Sequence, residues 1–170
     1  DNDGAFAAAT TLLADLGHRR IALLNGPAGL AFAAQREAAF RRVAAARGLF
    51  IPDRFVTHDD MSEDVGHRRA AAMLAGELPP TAFLCSSTLM ALGVMRAAAE
   101  RGLGIGTDIS IIAHDDVLPH LRSEHFSPPL TVTRSPIRQA GTALAEMVVA
   151  RIDGADPLQL QRVAPVDLIA

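Results

Sequence analysis

Helix-forming segments alternate along this chain with short runs that are apolar at nearly every position, and this alternation limits the fold more than any other feature. GAFAAATTLLADLG (4–17) leads into RRIALLNG (19–26), and LAFAAQREAAFRRVAAARG (30–48) into DRFVTHD (53–59). The beat continues through SEDVGHRRAAAMLAG (62–76), PTAFLCS (80–86), STLMALGVMRAAAERG (87–102), DISIIAH (108–114) and PPLTVTR (128–134). A last helix, SPIRQAGTALAEMVVARIDG (135–154), and a closing strand, LQRVAPVDLI (160–169), complete the pattern. Strands without a polar alternation are buried on both faces, which requires helices above and below a parallel sheet. The predicted fold is therefore α/β, a three-layer sandwich around a mostly parallel sheet. Expected caps are Asp3 at the first helix, with Gly17 ending it, and Ser62 at the third, with acidic Glu63 and Asp64 in its first turn. Ser135 and Pro136 are expected to open the last helix.

In open α/β sheets, ligands collect outside the carboxyl ends of the strands. Five polar loops follow strand ends here: NGPAG (25–29), HDD (58–60), CSST (85–88), HDD (114–116) and TRSP (133–136). Their convergence on one edge is the main sign of a binding site.

Composition removes several alternatives. Net charge is −3, pI is near 6.1, and all 16 basic residues are arginine, so this segment is not expected to grip nucleic acid through its own surface. Without lysine, neither a Walker A loop nor a Schiff base can form within these residues. The lone Cys85 excludes an internal disulfide, fits a reducing compartment, and reads as a small core residue. No apolar run reaches the length of a membrane span, and the start shows no signal-peptide pattern. The chain opens at Asp1 without a methionine and reads as a piece of a longer protein.

The paired clusters FVTHDDM (55–61) and IIAHDDV (111–117) could supply metal ligands if their strands were neighbours, but neither has the i, i+4 spacing that aims two side chains at one ion. Ser86, His114 and Asp115 could be drawn as a hydrolytic set, although no G-x-S-x-G elbow is present. GLGIGT (102–107) has the polarity helix–Gly–strand, opposite to a phosphate loop, and reads as a helix cap and turn. His18, Arg19 and Arg20 read as cations at a helix end. Arg36, a turn into its helix, offers a planar fork of donors, and Asp115 offers paired acceptors. Together they could hold the vicinal hydroxyls of a sugar, or they could form an internal ion pair with each other or with neighbours.

LGHRRIALLNGP, QREAAFRRVAAARGL, PTAFLCSSTLMALGVMRAAAERGL, DISIIAHDD and PPLTVTRSPIRQAG occur in the order found in the lac repressor and galactose repressor family of bacterial transcription regulators, which this chain resembles along essentially its whole length. The resemblance implies the two-lobed type I periplasmic-binding-protein-like fold, with 1–133 and 156–170 mostly in the C-terminal lobe and the helix 136–153 belonging to the N-terminal lobe. It implies that Arg36 and Asp115 grip effector hydroxyls, that Ser87 stands where many members have asparagine, and that Met61 stands where several have a stacking aromatic. It further implies that Phe32 faces the ligand ahead of Arg36, with His114 lining or supporting the cleft. Two departures stand out: Ala113-His114-Asp115-Asp116 replaces the common Gly-Tyr/Phe-Asp-Asp, and Ser87-Thr88 replaces the common Asn-Asp. The variants FLCSS and IAHDD are similar to a branch linked with α-glucoside use. The resemblance thus implies a cytoplasmic homodimer that senses a small effector, expected to be a sugar. It would have no cofactor, metal or membrane contact, and would reach operator DNA through a helix-turn-helix absent from this chain. The Ala- and Met-rich helices at 66–76 and 87–102 are candidates for the dimer face, and otherwise ordinary core. A periplasmic sugar receptor would share this fold. A small hydrolase using Asp115 with His114 is the enzymatic alternative.

Overall fold

A computed structural model describes residues 1–170. In chain order the elements are α1 (Asn2–Asp15), β1 (Ile21–Asn25), α2 (Ala31–Ala46), β2 (Val56–His58), α3 (Glu63–Leu74) and β3 (Ala82–Cys85). They continue as α4 (Thr88–Ala99), β4 (Ser110–Asp115), β5 (Thr131–Arg134), α5 (Ile137–Ile152) and β6 (Asp167–Ile169). The sheet order is β2-β1-β3-β4-β5-β6, with every pairing parallel except β5 with β6.

β1 shows why the strands are apolar at successive positions. Ile21 and Leu23 pack with Phe6, Leu13 and Phe40 of α1 and α2, whereas Ala22 and Leu24 join Met90, Val94 and Ala97 of α4 on the opposite face. Two apolar cores therefore share one sheet, which gives the three layers. Phe6, Leu13 and Phe40 are completely buried, and burial of each such side chain stabilises by about 1.5–3 kcal/mol. α3 and α4 approach to backbone contact. A Cβ on Gly93 would sit 2.1 Å from the Glu63 carbonyl oxygen, and one on Gly66 would sit 2.2 Å from that of Met90.

β2 and β3 flank β1 on opposite sides, and their connecting helices α2 and α3 lie on opposite faces. The carboxyl ends of β1 and β3 therefore form the switch-point crevice of the sheet. No helix is long and apolar enough to cross a membrane.

Several local expectations are corrected. Asp1, not Asp3, caps α1, its Oδ1 accepting from the Gly4 amide at 2.7 Å. Asp3 lies inside the first turn and pairs with Arg42 at 2.6 Å; three consecutive cap-competent residues left the choice to tertiary contacts. Pro136 occupies the cap position of α5, and no side chain caps that helix. β6 keeps only its last three residues as strand. His18 does not act as a helix-end cation. Its ring bridges the Thr81 and Ser110 hydroxyls at 2.9 Å each, and burial lowers its pKa. Arg19 takes the helix-end role, donating to the Ala14 carbonyl. Ser62 caps α3 as expected, and Cys85 is a buried thiol whose pKa is raised by burial.

Candidate functional site

The five polar loops leave the sheet at one edge because β2, β1, β3, β4 and β5 all run in the same direction. At the crevice, Asn25 ends β1 fully buried. Its Nδ2 donates to the Ala33 carbonyl in the first turn of α2, and its Oδ1 accepts from the Ser86 hydroxyl. This bracket fixes α2 against the β3 end, and with it the two α2 side chains that face the crevice, Phe32 and Arg36. Gly26 allows the Phe32 ring to lie across the end of β1, since a Cβ there would come within 2.7 Å of the ring and 3.4 Å of the Met61 sulfur. Phe32 and Met61 thus both lie against the end of β1 at Gly26.

Arg36 is 7% exposed, yet no carboxylate lies within ion-pairing distance. Nε donates to Asn2 Oδ1 at 3.0 Å and Nη1 to the Ser86 carbonyl at 2.9 Å, and Nη2 makes no protein hydrogen bond. The guanidinium carbon lies 4.9 Å from the Phe6 ring centre and 4.8 Å from that of Phe32, a cation held between two aromatic faces. Burial draws its pKa down to about 10, against the opposing pull of the Asp116 carboxylate.

Asp115 and His114 are consecutive on β4, so their side chains leave opposite faces of the sheet. His114 lies near Phe6, ring centres 6.5 Å apart, with Nδ1 3.0 Å from the Thr133 hydroxyl. Its pKa falls to about 4, first through burial and then through the Arg36 charge, so the ring is neutral near pH 7. Asp115 is 3% exposed and forms its ion pair with Arg134, not Arg36: Oδ2 accepts from Arg134 Nε at 2.7 Å, and Oδ1 accepts from the Val117 amide at 2.7 Å. Beside it a cavity of about 350 Å³ is lined by Asp115, Val117, Leu118, Pro119, Arg122 and Arg134. Ser87 caps α4 and donates to Asp116 Oδ2 at 2.7 Å, while Asp116 also accepts from the Thr88 amide at 2.9 Å. Any influence of Ser87 on a ligand therefore runs through Asp116.

The other candidate chemistries do not assemble. His58 ends β2 and His114 is the penultimate residue of β4, two strands separated by β1 and β3, and His58 instead meets Glu37 at 3.0 Å. Asp59 pairs with Arg69, whose two nitrogens lower its pKa. The Ser86 hydroxyl is buried and committed to Asn25, so Ser86, His114 and Asp115 form no relay. Sequence reasoning missed Asn2, Phe6, Asn25, Asp116 and Arg134. Phe6 carries a signal only as a core-facing helix residue, and Arg134 only as part of the polar TRSP loop.

The family described as periplasmic binding protein-like domain matches residues 10–170. The chain belongs to that family. Within it, the relatives place this chain as the effector-binding domain of a LacI-family transcriptional regulator. It is 51% identical over 152 residues to the HTH-type transcriptional regulator AglR of Rhizobium meliloti (strain 1021), covering 89% of this chain and 43% of that protein. The HTH-type transcriptional repressor PurR of Vibrio campbellii is 35% identical over 85% of this chain and 42% of its own length. The chain thus spans less than half the length of these curated relatives, which are transcriptional regulators and not enzymes. A LacI-family regulatory protein from Chloroflexus aggregans superposes with a TM-score of 0.93 at 32% identity, over 100% of this chain and 60% of that one. The lac repressor bound to ONPG superposes at 0.86 with 29% identity, over 100% of this chain and 50% of that one. The α/β fold around a mostly parallel sheet expected from the sequence is thus present, with six strands in this chain, and these structures share it.

Proposed function

We propose that this LacI-family domain senses a small sugar, an α-glucoside in the first instance, in a cleft at the carboxyl edge of its sheet, and thereby controls operator binding by a helix-turn-helix outside these residues. The observation that carries the reading is Arg36: a buried guanidinium with no carboxylate partner, flanked by two aromatic rings and with Nη2 unused. A sugar ring would lie against Phe32 and Met61 and take Nη2 as a donor to a hydroxyl. Asp115 would accept from a second hydroxyl, with His114 lining the cleft as a neutral ring and Ser87 acting through Asp116. The choice of an α-glucoside rests on the FLCSS and IAHDD variants, and the 51% identity to AglR accords with that branch.

α5 supports the assignment of 136–153 to a second lobe. It contains no buried residue, and Leu144, Val148, Val149 and Ile152 are exposed by half or more. A ligand closing the cleft would bias the angle between lobes, and in a homodimer that angle would set the spacing of two DNA-binding heads. For the dimer face we assign the outer sides of α3 and α4, where Leu92 and Met95 remain partly exposed although most apolar positions of α4 lie in the core. Transcriptional work places the protein in the cytoplasm.

The test is a thermal-shift screen of the complete protein against monosaccharides, maltose, sucrose and trehalose, repeated with Arg36→Ala. A ligand at about 100 times its Kd adds roughly 2.7 kcal/mol of stability. A shift with one sugar class that disappears in the variant supports the reading. No shift with any sugar retires it, and phosphorylated sugars and purines would be screened next.

A further inference from the structure

Asp115 is more heavily engaged than a free sugar acceptor would be. Both Nε and Nη2 of Arg134 reach Oδ2 at 2.7 Å, and the Val117 amide reaches Oδ1 at 2.7 Å. A carboxylate offers about four lone-pair sites over its two oxygens. One hydrogen bond falls on each oxygen, from Arg134 Nε on Oδ2 and from the Val117 amide on Oδ1, and Arg134 Nη2 at ion-pairing distance covers Oδ2 further, which leaves Oδ1 the more open of the two. The sheet register builds this pair in. Asp115 and Arg134 are directly paired across the parallel strands β4 and β5, so their side chains leave the same face.

Arg134 also reaches beyond the carboxylate. Its Nη2 donates to the Ser123 hydroxyl at 2.9 Å and lies 3.6 Å from Glu124 Oε2, and Ser123 is itself buried. Ser123 and Glu124 belong to the long loop between β4 and β5. The near end of that loop is held by the other Asp115 oxygen through Val117, the one non-glycine residue with positive φ, at 53°. A β-branched residue in this left-handed region is strained and persists only where its surroundings hold it. Asp115 and Arg134 thus grip the loop at two places, 117 and 123–124. Between and just past these points His120, Leu121, Arg122, His125 and Phe126 line a shallow cavity of about 260 Å³ against Leu92 of α4.

We propose that Arg134 is the positioning residue of the effector site: it holds Asp115 Oδ2 so that Oδ1 alone faces an effector hydroxyl, and it couples that carboxylate to the loop 117–126. This rests on the reading of Asp115 as an effector acceptor. A hydroxyl that donates to Oδ1 shares that oxygen with the Val117 amide and weakens its hydrogen bond, so occupation of the site loosens the strained residue while Arg134 keeps the far end of the loop in place. The loop then carries the state of the cleft to the face beside α4.

Hydrogen exchange and calorimetry on the complete protein test this, using wild type, Arg134→Met, Arg134→Lys and Asp115→Asn. Without ligand, amides in 117–126 are expected to exchange about tenfold faster or more in Arg134→Met, with those of β1 and α2 unchanged. Asp115→Asn should produce the same local effect, and the double variant no more than either single one. Arg134→Lys retains the charge but not the two-nitrogen fork, and should fall between wild type and Arg134→Met. With maltose as the probe, affinity should drop about tenfold or more in Arg134→Met. Unchanged exchange in 117–126 overturns the proposal, as does acceleration spread evenly over the whole domain, which would make Arg134 a structural strut only. If wild type responds to none of the screened sugars while the local acceleration is present, the sugar reading fails and the coupling stands.

Discussion

Arg36→Met should separate function from stability. In most proteins, removing one partner of a buried ion pair destabilises by about 3–5 kcal/mol, because it strands the other charge. Arg36 has no such partner. The fall of its pKa from 12.5 to about 10 means that the fold disfavours the charged form by about 3 kcal/mol, a penalty present at every pH below about 10. Methionine removes that penalty and keeps an unbranched stem between Phe6 and Phe32, where sulfur–aromatic contact is favourable. Against this, the Ser86 carbonyl loses its buried donor at a cost of about 1–3 kcal/mol, while Asn2 is partly exposed and can take water instead. The two effects nearly cancel. Urea unfolding of the ligand-free complete protein should therefore place Arg36→Met within about 1 kcal/mol of wild type with an unchanged m-value. Sugar-dependent stabilisation should be abolished. A loss above about 3 kcal/mol with ligand response retained would refute the argument and make Arg36 a structural residue.

Acidification should destabilise the domain through His114. Its folded pKa of about 4 lies below the unfolded value of 6.5, so the unfolded chain binds the proton first and stability falls as pH drops from 6.5 toward 4, by about 3 kcal/mol at most. His114→Gln should flatten that part of a stability–pH profile, and an unchanged slope would assign the effect elsewhere. Gly93→Ala places a Cβ 2.1 Å from the Glu63 carbonyl and 2.3 Å from the His67 amide, both backbone, so α3 and α4 must separate. A loss of about 1–3 kcal/mol or more is expected in denaturant unfolding. Asp116→Asn leaves the α4 amino terminus with a weaker, uncharged acceptor for Ser87 and the Thr88 amide, and should cost about 1 kcal/mol while altering ligand affinity.

The layers were legible in the sequence because one kind of residue does one job along each strand. IALLN is apolar at four successive positions since both faces of β1 meet a helix, and that reads directly from the letters. The edge on which the polar loops gather followed from the same pattern. Pairings between side chains did not follow, because they depend on which face each residue leaves by and on which strands are neighbours. Arg36 and Asp115 look like complementary halves of one clamp when written on a line. In three dimensions Asp115 points to the α4 face and is claimed by Arg134, directly opposite on β5, while the charge that acts on Arg36 is Asp116. The register β4–β5 decides this, and no local periodicity encodes it. His18 shows the same limit at the other end of the sheet. Beside two arginines at a helix end it reads as a cation, yet two hydroxyls from β4 and the segment before β3 take its ring nitrogens, and burial lowers its pKa. Where a polar side chain's role is set by contacts with another strand, the sequence names the candidates and only the packed sheet chooses between them.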